Sequence, residues 1–276
     1  MTMSMNAQRA PEELDEGTFA AIRRLVHEHS GIYLKGDKRN LVSTRLAKRL
    51  RELSLPSYRA YLQVLRDDHD GTEMTVLLDA ISTNVTYFFR EPDHFDVVRM
   101  AFGGWKADGQ RRFRFWSAAC STGQEPYSLA ITLLDSGSQG LDIKILATDI
   151  STRVLATAMQ GRYQGTVLDT VPDPLKTQYF EQVDDGYQAT DVLRNMIMFR
   201  HANLSQLPTP VKGPLDIVFC RNVMIYFEDQ LRRNLVQEFR RVLRPGGYLL
   251  VGHSESLVGM HEGFKLERPS VYRKEQ

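Results

Sequence analysis

The sequence predicts an α/β protein whose larger part is a doubly wound, Rossmann-like domain with a small antiparallel β insertion, preceded by a small all-α domain. Three observations indicate this fold. Apolar residues recur at spacings of three and four over residues 12–82, with no strand signal between them. From residue 113 onward, short apolar segments alternate with helical patterns. Residues 162–200 interrupt that alternation with turn signals.

The N-terminal domain, residues 12–82, is expected to be helical throughout, and residues 1–11 before it are expected to be a disordered tail. Pro56 and Ser57 typically open a helix. Residues 83–95 then form a linker in which Pro92 suits the first turn of a new helix. The apolar stripes of the successive helices are Phe19, Ile22, Leu25 and Val26; Leu46, Leu50 and Leu53; Tyr58, Tyr61, Leu62 and Leu65; and Leu77, Leu78 and Ile81.

The doubly wound domain is expected over residues 96–276. Pro172 and the Asp184–Gly186 turn indicate that residues 162–200 form its antiparallel insertion. The predicted strands are 112–119, 141–150, 214–222 and 248–254, and the predicted helices are 125–136, 151–161 and 229–247.

Composition excludes several classes of protein. The chain has 276 residues and a net charge of +1, so it is no polycation and any charge-driven recognition must be local. Its start has no apolar signal region, and no apolar run approaches the roughly 20 residues of a membrane span. Cys120 and Cys220 form neither a disulfide framework nor a zinc motif. A cytoplasmic protein with free thiols, no metal and no membrane insertion is therefore expected. A monomer is expected too, although composition does not bear on the oligomeric state.

The loop after the first predicted strand reads "AACSTGQE", residues 118–125. A dinucleotide loop would read G-x-G-x-x-G, whereas this loop has one glycine and an acid, Glu125. Small side chains let a ligand approach the backbone closely, and the acid favours a cationic ligand. Asp149 ends the second strand 24 residues later, where a carboxylate accepts hydrogen bonds from ribose hydroxyls. The alternative is that Asp149 caps the next helix, a role for which Ser151 competes.

A nucleoside that carries cationic groups and no phosphate fits this loop. S-adenosylmethionine has a sulfonium, an ammonium, a ribose and no phosphate. The segment "RVLRPGGYLLVGHSE" adds a helix, a Pro-Gly-Gly turn and an apolar strand, which typically close a nucleoside-dependent methyltransferase domain. Pro-Gly-Gly turns end many other helices as well.

Four longer stretches make the sequence resemble the chemotaxis receptor methyltransferases, the CheR-like family, from about Phe19 to Arg273. They are "STNVTYFFREPDHF", "WSAACSTGQEPYSLA", "ILATDIS" and "DIVFCRNVMIYF". The resemblance implies a class I S-adenosylmethionine-dependent methyltransferase domain with an antiparallel subdomain. It also implies methyl transfer to glutamate side chains in the cytoplasmic helices of chemoreceptors. The products would be γ-glutamyl methyl esters and S-adenosylhomocysteine, in the service of chemotactic adaptation.

The resemblance also implies roles for particular residues. Arg90 and Tyr226 resemble the pair nearest the transferring methyl group, and Asn203 and Leu204 are expected to hold the adenine. The implied cofactor-binding residues are Asn84, Thr86, Arg90, Glu125, Asp149, Asn203, Leu204, Arg221 and Asn222.

Several of these residues have plainer interpretations. Thr86 would then merely cap a turn, Arg90 and Glu91 would pair at the surface, and Tyr226 would be a core aromatic residue. His253 is the one histidine expected near the site, and a structural role suits it.

The expected chemistry needs no general base, because a glutamate side chain with a pKa of about 4.3 is ionised at neutral pH. No His–Asp or Cys–His pair is evident in the sequence.

The helical domain carries a basic face. Arg45, Lys48 and Arg49 share one side of a helix by their spacing. A docking surface for the glutamate-rich helices of a receptor is one interpretation, and an ordinary solvated face is the other. Nucleic acid is not expected as the partner, because no aromatic residues interleave with the basic ones and the net charge is nearly zero.

Some members of the family bind a peptide at the receptor's C-terminus through the antiparallel subdomain, with a longer, glycine-rich hairpin turn. Here the turn is "VDDGY", residues 183–187, so engagement of receptors without that tether is expected. Two rival functions stay open: a methyltransferase for nucleic acid or a small molecule, and a non-catalytic module that senses the cofactor.

Overall fold

The computed structural model describes residues 13–276, and the tail expected over residues 1–11 lies outside the described residues. The chain divides into two compact units, one ending at Ser82 and the other running from Thr83 to Gln276. In the described part of the chain, no helix has both the length and the apolar character needed to span a membrane.

The described part of the first unit is helical, as expected. Its helices are α1 (Glu16–Ser30), α2 (Arg39–Glu52), α3 (Tyr58–Arg66) and α4 (Thr72–Ile81). The caps follow from the sequence: the Asp15 side chain accepts a hydrogen bond from the Thr18 N–H at 2.9 Å, and the Ser57 hydroxyl accepts one from the Ala60 N–H at 3.2 Å. Gly31 ends α1 in the left-handed region, with φ of 71°.

The second unit alternates helices and strands. In chain order its elements are α5 (Asp93–Ala107), β1 (Arg112–Ala118), α6 (Gln124–Asp135), β2 (Asp142–Asp149), α7 (Thr152–Gln160), β3 (Arg162–Tyr163), α8 (Asp173–Tyr179), β4 (Phe180–Val183), β5 (Gly186–Ala189), α9 (Asp191–Arg194), β6 (Ile197–His201), β7 (Leu215–Cys220), α10 (Asp229–Val242), β8 (Leu243–Val251), β9 (Phe264–Arg268) and β10 (Val271–Lys274).

The main sheet is doubly wound around β1. Among the described residues its strand order is β6-β2-β1-β7-β8-β10-β9, with parallel pairing from β6 to β8 and antiparallel pairing of β10 with both neighbours. All six residues of β7 are buried, as expected for a strand covered on both faces. The connections leave β1 in opposite directions, so the carboxyl ends of β1, β2 and β7 border the crevice where ligands bind in such sheets.

The antiparallel insertion is present but shorter than the predicted 162–200. Strands β3, β5 and β4 form a separate three-stranded sheet. Residues 197–201 do not belong to it, because β6 pairs in parallel with β2 and extends the main sheet. The prediction was wrong there because an apolar strand of five residues carries no sign of which sheet it joins.

The end of the domain also differs from the prediction. The helix expected over 229–247 stops at Val242, and Leu243–Gly247 belongs to β8. Pro245 has no N–H to continue a helix, and Gly246 lies at φ of 74°. The register between β7 and β8 shifts at this point, so the Pro-Gly-Gly segment is a bulge inside the strand rather than a turn before it.

Candidate cofactor site

The loop after β1 has a strained backbone. Ala119 and Ser121 lie in the left-handed region, with φ of 78° and 50°, although neither is a glycine. The N–H groups of Ala119 and Cys120 both donate to the carbonyl of Thr148 at 2.8 Å. These bonds hold the loop against the end of β2, and such strain is typical of functional loops.

Gly123, the single glycine of that loop, lies at the start of α6, and close packing explains why this residue is a glycine. Its φ is 99°, and a Cβ there would lie 2.8 Å from the Tyr163 hydroxyl and 3.0 Å from the Ala158 Cβ. The glycine therefore lets α6 begin close against the insertion and α7.

Asp149 is buried at the end of β2 and holds two backbone groups. One carboxylate oxygen accepts the Ser121 N–H at 2.8 Å, and the other accepts the Ser151 N–H at 2.9 Å. Ser151, rather than Asp149, is the N-cap of α7. The Ala202 N–H donates to the Asp149 carbonyl at 3.0 Å, which brings the segment containing Asn203 and the buried Leu204 to the same edge of the sheet.

Glu125 lies in the first turn of α6, and its side chain is only 13% exposed. The Ser117 hydroxyl donates to one of its oxygens at 2.6 Å, and the Arg221 guanidinium donates to the other at 3.2 Å. Burial raises the pKa of Glu125 above its usual value, and the charge of Arg221 opposes that rise. The acid sits between the ends of β1 and β7, where a cationic ligand group would further stabilise its charge.

Arg221 connects three segments of the site. Its side chain is 2% exposed, and it lies 3.1 Å from the Glu91 carboxylate as well as 3.2 Å from Glu125. It also donates to the Arg90 carbonyl. The alternative that Arg90 and Glu91 pair at the surface therefore does not describe Glu91. Its side chain turns inward, and Arg221 is its principal partner. Burial raises the pKa of Glu91, but the charge of Arg221, the hydrogen bond from the His253 N–H and the charges of the two neighbouring histidines together outweigh burial, so the net shift is downward.

The linker that carries Asn84, Thr86 and Arg90 is bonded to this edge of the sheet. The Ser121 hydroxyl donates to the Asn84 carbonyl at 3.2 Å. The Arg90 guanidinium donates to the Val85 carbonyl at 2.9 Å and stacks on the Tyr87 ring at 5.8 Å. Phe89 and Glu91, on either side of Arg90, both have φ of 55°. Two strained residues around Arg90 indicate that its position is specified by the fold.

Glu255 is a residue of this region that the sequence did not single out. Its buried carboxylate accepts backbone N–H groups from Gly252 at 2.6 Å and Asn222 at 2.7 Å. It also accepts those of Val223 at 3.0 Å and Ile225 at 3.3 Å. The loop that ends in the half-buried Tyr226 is thus held by one carboxylate. The signal available in the sequence was the position of Glu255, an acidic residue just after the last parallel strand.

A small cluster of histidines and acids lies beside Glu91. His253 Nε2 is 3.2 Å from the Asp93 carboxylate, so a His–Asp pair exists that the sequence did not reveal. His94 is fully buried, and burial followed by the charge of Arg221 lowers its pKa to about 4. Its ring meets that of His253 edge to face at 5.1 Å.

The three residues expected to dock a partner belong to the helical unit. Arg49 forms a bidentate pair with Glu73, at 2.9 Å and 2.5 Å. Arg45 donates to the carbonyls of Ile81 and Ser82, at 2.6 Å and 2.9 Å, at the C-terminal end of α4. Lys48 differs from both because its side chain is 80% exposed. All three cations have partners within their own unit, because Lys48 lies 3.8 Å from Glu52, but only the partners of Arg45 and Arg49 are part of the packed interior.

A doubly wound sheet with one acid in the first turn of α6, another at the end of β2, and no glycine-rich phosphate loop is typical of a nucleoside-binding α/β domain. The CheR methyltransferase all-alpha domain matches residues 17–82, and the CheR methyltransferase SAM binding domain matches residues 84–272. The chain belongs to the CheR methyltransferase family, and its cofactor is S-adenosylmethionine. The resemblance and the fold class predicted from the sequence are both confirmed.

Curated relatives match over most of their length. "Chemotaxis protein methyltransferase 2" of Pseudomonas aeruginosa is 40% identical, over 87% of this chain and 86% of the relative. "Chemotaxis protein methyltransferase" of Salmonella typhimurium is 36% identical, over 94% and 90% of the two chains. The protein of the same name from Escherichia coli is 35% identical, over 94% and 91%.

The residues at the sheet edge fit S-adenosylmethionine chemically. Glu125 is a carboxylate whose side chain is 13% exposed and lies against the Arg221 guanidinium, and Asp149 is a buried carboxylate fixed at the end of β2. Small side chains line the strained loop between them. S-adenosylmethionine carries no phosphate, so its binding requires no phosphate-binding group.

Proposed function

We propose that this methyltransferase transfers the methyl group of S-adenosylmethionine to glutamate side chains of chemoreceptors, giving γ-glutamyl methyl esters and S-adenosylhomocysteine in chemotactic adaptation. The observation that carries the proposal is the likeness to chemotaxis protein methyltransferases over nearly the whole of both domains. The chemistry of the described site supports it as well.

The cofactor would be held along the carboxyl edge of the sheet. Asp149 would accept the ribose hydroxyls, Glu125 would pair with the ammonium group, and Asn203 and Leu204 would flank the adenine. Arg221 would keep Glu125 charged, supported by its contact at 3.2 Å. When bound, S-adenosylmethionine supplies an electrophilic methyl group on a sulfonium. The remaining contacts are assigned to Asn84, Thr86, Arg90 and Asn222.

A glutamate acceptor needs no general base. Its pKa of about 4.3 leaves it ionised at neutral pH, so the enzyme has only to align a carboxylate with the methyl carbon. Such positioning contributes roughly 7–11 kcal/mol to catalysis. The site acids support this interpretation, because Glu125, Glu91 and Glu255 are all engaged with cations, hydroxyls or backbone N–H groups. None of these three is arranged to remove a proton.

Arg90 and Tyr226 would orient the incoming carboxylate. Arg90 is half-buried, fixed by Val85 and Tyr87, and carries a charge that attracts an anion. Tyr226 ends the short helical turn Met224–Tyr226, which Glu255 anchors through its backbone. A phenol donates one hydrogen bond without neutralising the nucleophile, which suits an acceptor that must keep its charge.

Receptor docking would use the basic face of α2. Because Arg45 and Arg49 have partners inside the helical unit, Lys48 is the exposed member of the three proposed docking residues. The turn between β4 and β5 is only Asp184–Asp185, which supports engagement of receptors without a peptide tether.

The direct experiment incubates the protein with methyl-labelled S-adenosylmethionine and membranes that contain chemoreceptors. Label that enters receptor protein and is released by alkali as methanol supports the proposal. Alkali-stable label, or label in RNA or in small metabolites, would indicate a different acceptor. Cofactor binding without any transfer would indicate a sensing module.

A further inference from the structure

Glu91, His94 and His253 place three ligating atoms within 4.8 Å of one another. The Glu91 carboxylate lies 3.5 Å from His94 Nδ1 and 4.0 Å from His253 Nε2. Asp93 adds a carboxylate oxygen 3.2 Å from His253 Nε2. We propose that Glu91, His94 and His253 form a binding site for a divalent transition metal of the zinc class, with Asp93 beside His253 at its rim.

The orientation of His94 is the observation that points to a metal. Its Nε2 lies 2.8 Å from the Ser270 hydroxyl, and that hydroxyl donates its own proton to the Pro269 carbonyl at 2.6 Å. Ser270 must therefore accept, so Nε2 carries the imidazole proton and Nδ1 presents a lone pair. In a metal-binding histidine, the ring nitrogen that does not bind the metal usually donates a hydrogen bond of this kind.

The free nitrogen of His94 has no hydrogen bond to any described residue, although it is completely buried. It faces the Glu91 carboxylate, so two acceptors meet with no proton between them. A buried polar atom left in this state is costly. A cation at this position would satisfy the Nδ1 lone pair and bind the neighbouring Glu91 carboxylate as well.

The donor set and its exposure select the class of metal. Two imidazoles with one carboxylate suit Zn²⁺, Co²⁺ or Ni²⁺, whereas Mg²⁺ and Ca²⁺ prefer oxygen ligands alone. His94 and Glu91 form a buried floor, with side chains 0% and 11% exposed. His253 and Asp93 form the rim, at 50% and 44%. An ion would reach the floor between the two rim residues.

Sequence alone gives no signal of this site. Its ligands come from residues 91–94 and from position 253, far apart in the chain, and the cysteines that usually indicate zinc are absent from it. Metal binding can be measured without cofactor or receptor, so failure of this proposal is distinguishable from failure of the proposed methyl transfer.

The test is calorimetric titration of the metal-stripped, full-length protein with Zn²⁺. We expect one Zn²⁺ per chain, no binding of Mg²⁺, and an affinity at least about tenfold lower for His253→Ala. Ser270→Ala, which removes the hydroxyl that His94 Nε2 contacts and leaves the three ligands in place, should weaken Zn²⁺ binding about 10- to 100-fold. The matched control is His261→Ala, a histidine outside the cluster, which should bind as the parent does. Equal affinity in the parent and His253→Ala, or no binding by the parent, would overturn the proposal.

Discussion

The Arg221 guanidinium lies 3.2 Å from the Glu125 carboxylate, which joins the end of β7 to the first turn of α6. Arg221 also donates to the Arg90 carbonyl. Arg221 thus contacts both Glu125, which we propose holds the cofactor's ammonium group, and the backbone of Arg90, which we propose orients the acceptor. This arrangement makes several properties of the enzyme testable.

Replacing Glu125 by glutamine should weaken cofactor binding. The variant keeps the size of the side chain and removes the charge that faces Arg221 and the proposed ammonium position. A lost charge-assisted hydrogen bond costs about 1.5–3 kcal/mol, which corresponds to a roughly 10- to 100-fold higher Kd for S-adenosylmethionine. Calorimetric titration measures this change. The exposed Glu262→Gln variant is the control, and an equal Kd in both variants would remove Glu125 from the cofactor site.

Tyr226→Phe should lower turnover more than cofactor affinity. The hydroxyl is proposed to contact the acceptor carboxylate, so its removal should reduce kcat by roughly 10- to 100-fold and leave the Kd for S-adenosylmethionine nearly unchanged. Steady-state methylation of receptor membranes gives kcat, and calorimetry gives the Kd for S-adenosylmethionine. Tyr33→Phe, in the helical unit, serves as the control. Parallel losses in kcat and affinity would assign Tyr226 to the cofactor instead.

Arg49 and Lys48 should differ sharply in their effect on stability. Glu73 is 8% exposed and accepts hydrogen bonds from Arg49 and from the Tyr61 hydroxyl, at 2.7 Å for the latter. Arg49→Ala leaves that acid buried without its cation, so the free energy of unfolding should fall by about 3 kcal/mol. Lys48→Ala should change it by less than about 0.5 kcal/mol, because the side chain is exposed. Urea denaturation compares them, and similar losses would contradict the structural role of Arg49.

Charge reversal at Lys48 should weaken receptor engagement. Lys48→Glu places an acid on the face proposed to meet glutamate-rich helices, so the apparent KM for receptor membranes should rise severalfold at low salt. The difference from the parent should shrink as salt increases, because exposed charges are screened. Lys144→Glu makes the same charge change on an exposed position of β2. If both variants raise KM equally, net charge rather than this face is responsible.

Glu238 should make stability depend on pH in the acid range. The Arg241 guanidinium and the Thr209 hydroxyl and N–H lower its pKa from an ordinary 4.5 to about 2, although burial opposes them. Because the folded pKa is the lower one, its stabilisation is present above about pH 4.5 and is lost as pH falls towards 2. The melting temperature of Glu238→Gln should therefore lie below that of the parent at pH 7 and approach it at pH 3. A constant gap would contradict the prediction.

Local signals in the sequence were enough to predict the sheet and two of its acids. Buried parallel strands are short, apolar and separated by helical periods, and Asp149 could be placed because it ends such a strand. Whether β6 joined the insertion or the main sheet was not predictable, because strand pairing depends on partners that lie far away in the chain. The same limit applies to Leu243–Gly247, whose bulge exists only when paired with β7.

The partners of charged residues were the harder part to predict. Glu91 meets Arg221 across 130 positions of the chain, so its neighbour Arg90 looked like the more natural partner. Arg49 shares a helix face with Lys48, yet its bond to Glu73 comes from packing of α2 against α4. Spacing along a helix predicts which residues share a face, but it does not show which of them another helix then covers.

The most direct test of the account is a crystal structure of the protein with S-adenosylhomocysteine, in which two distances are measured. We predict that the ribose hydroxyls lie within hydrogen-bonding distance of the Asp149 carboxylate and that the amino group lies beside Glu125. A nucleoside bound elsewhere, or one whose ribose and amino group contact neither acid, would contradict it.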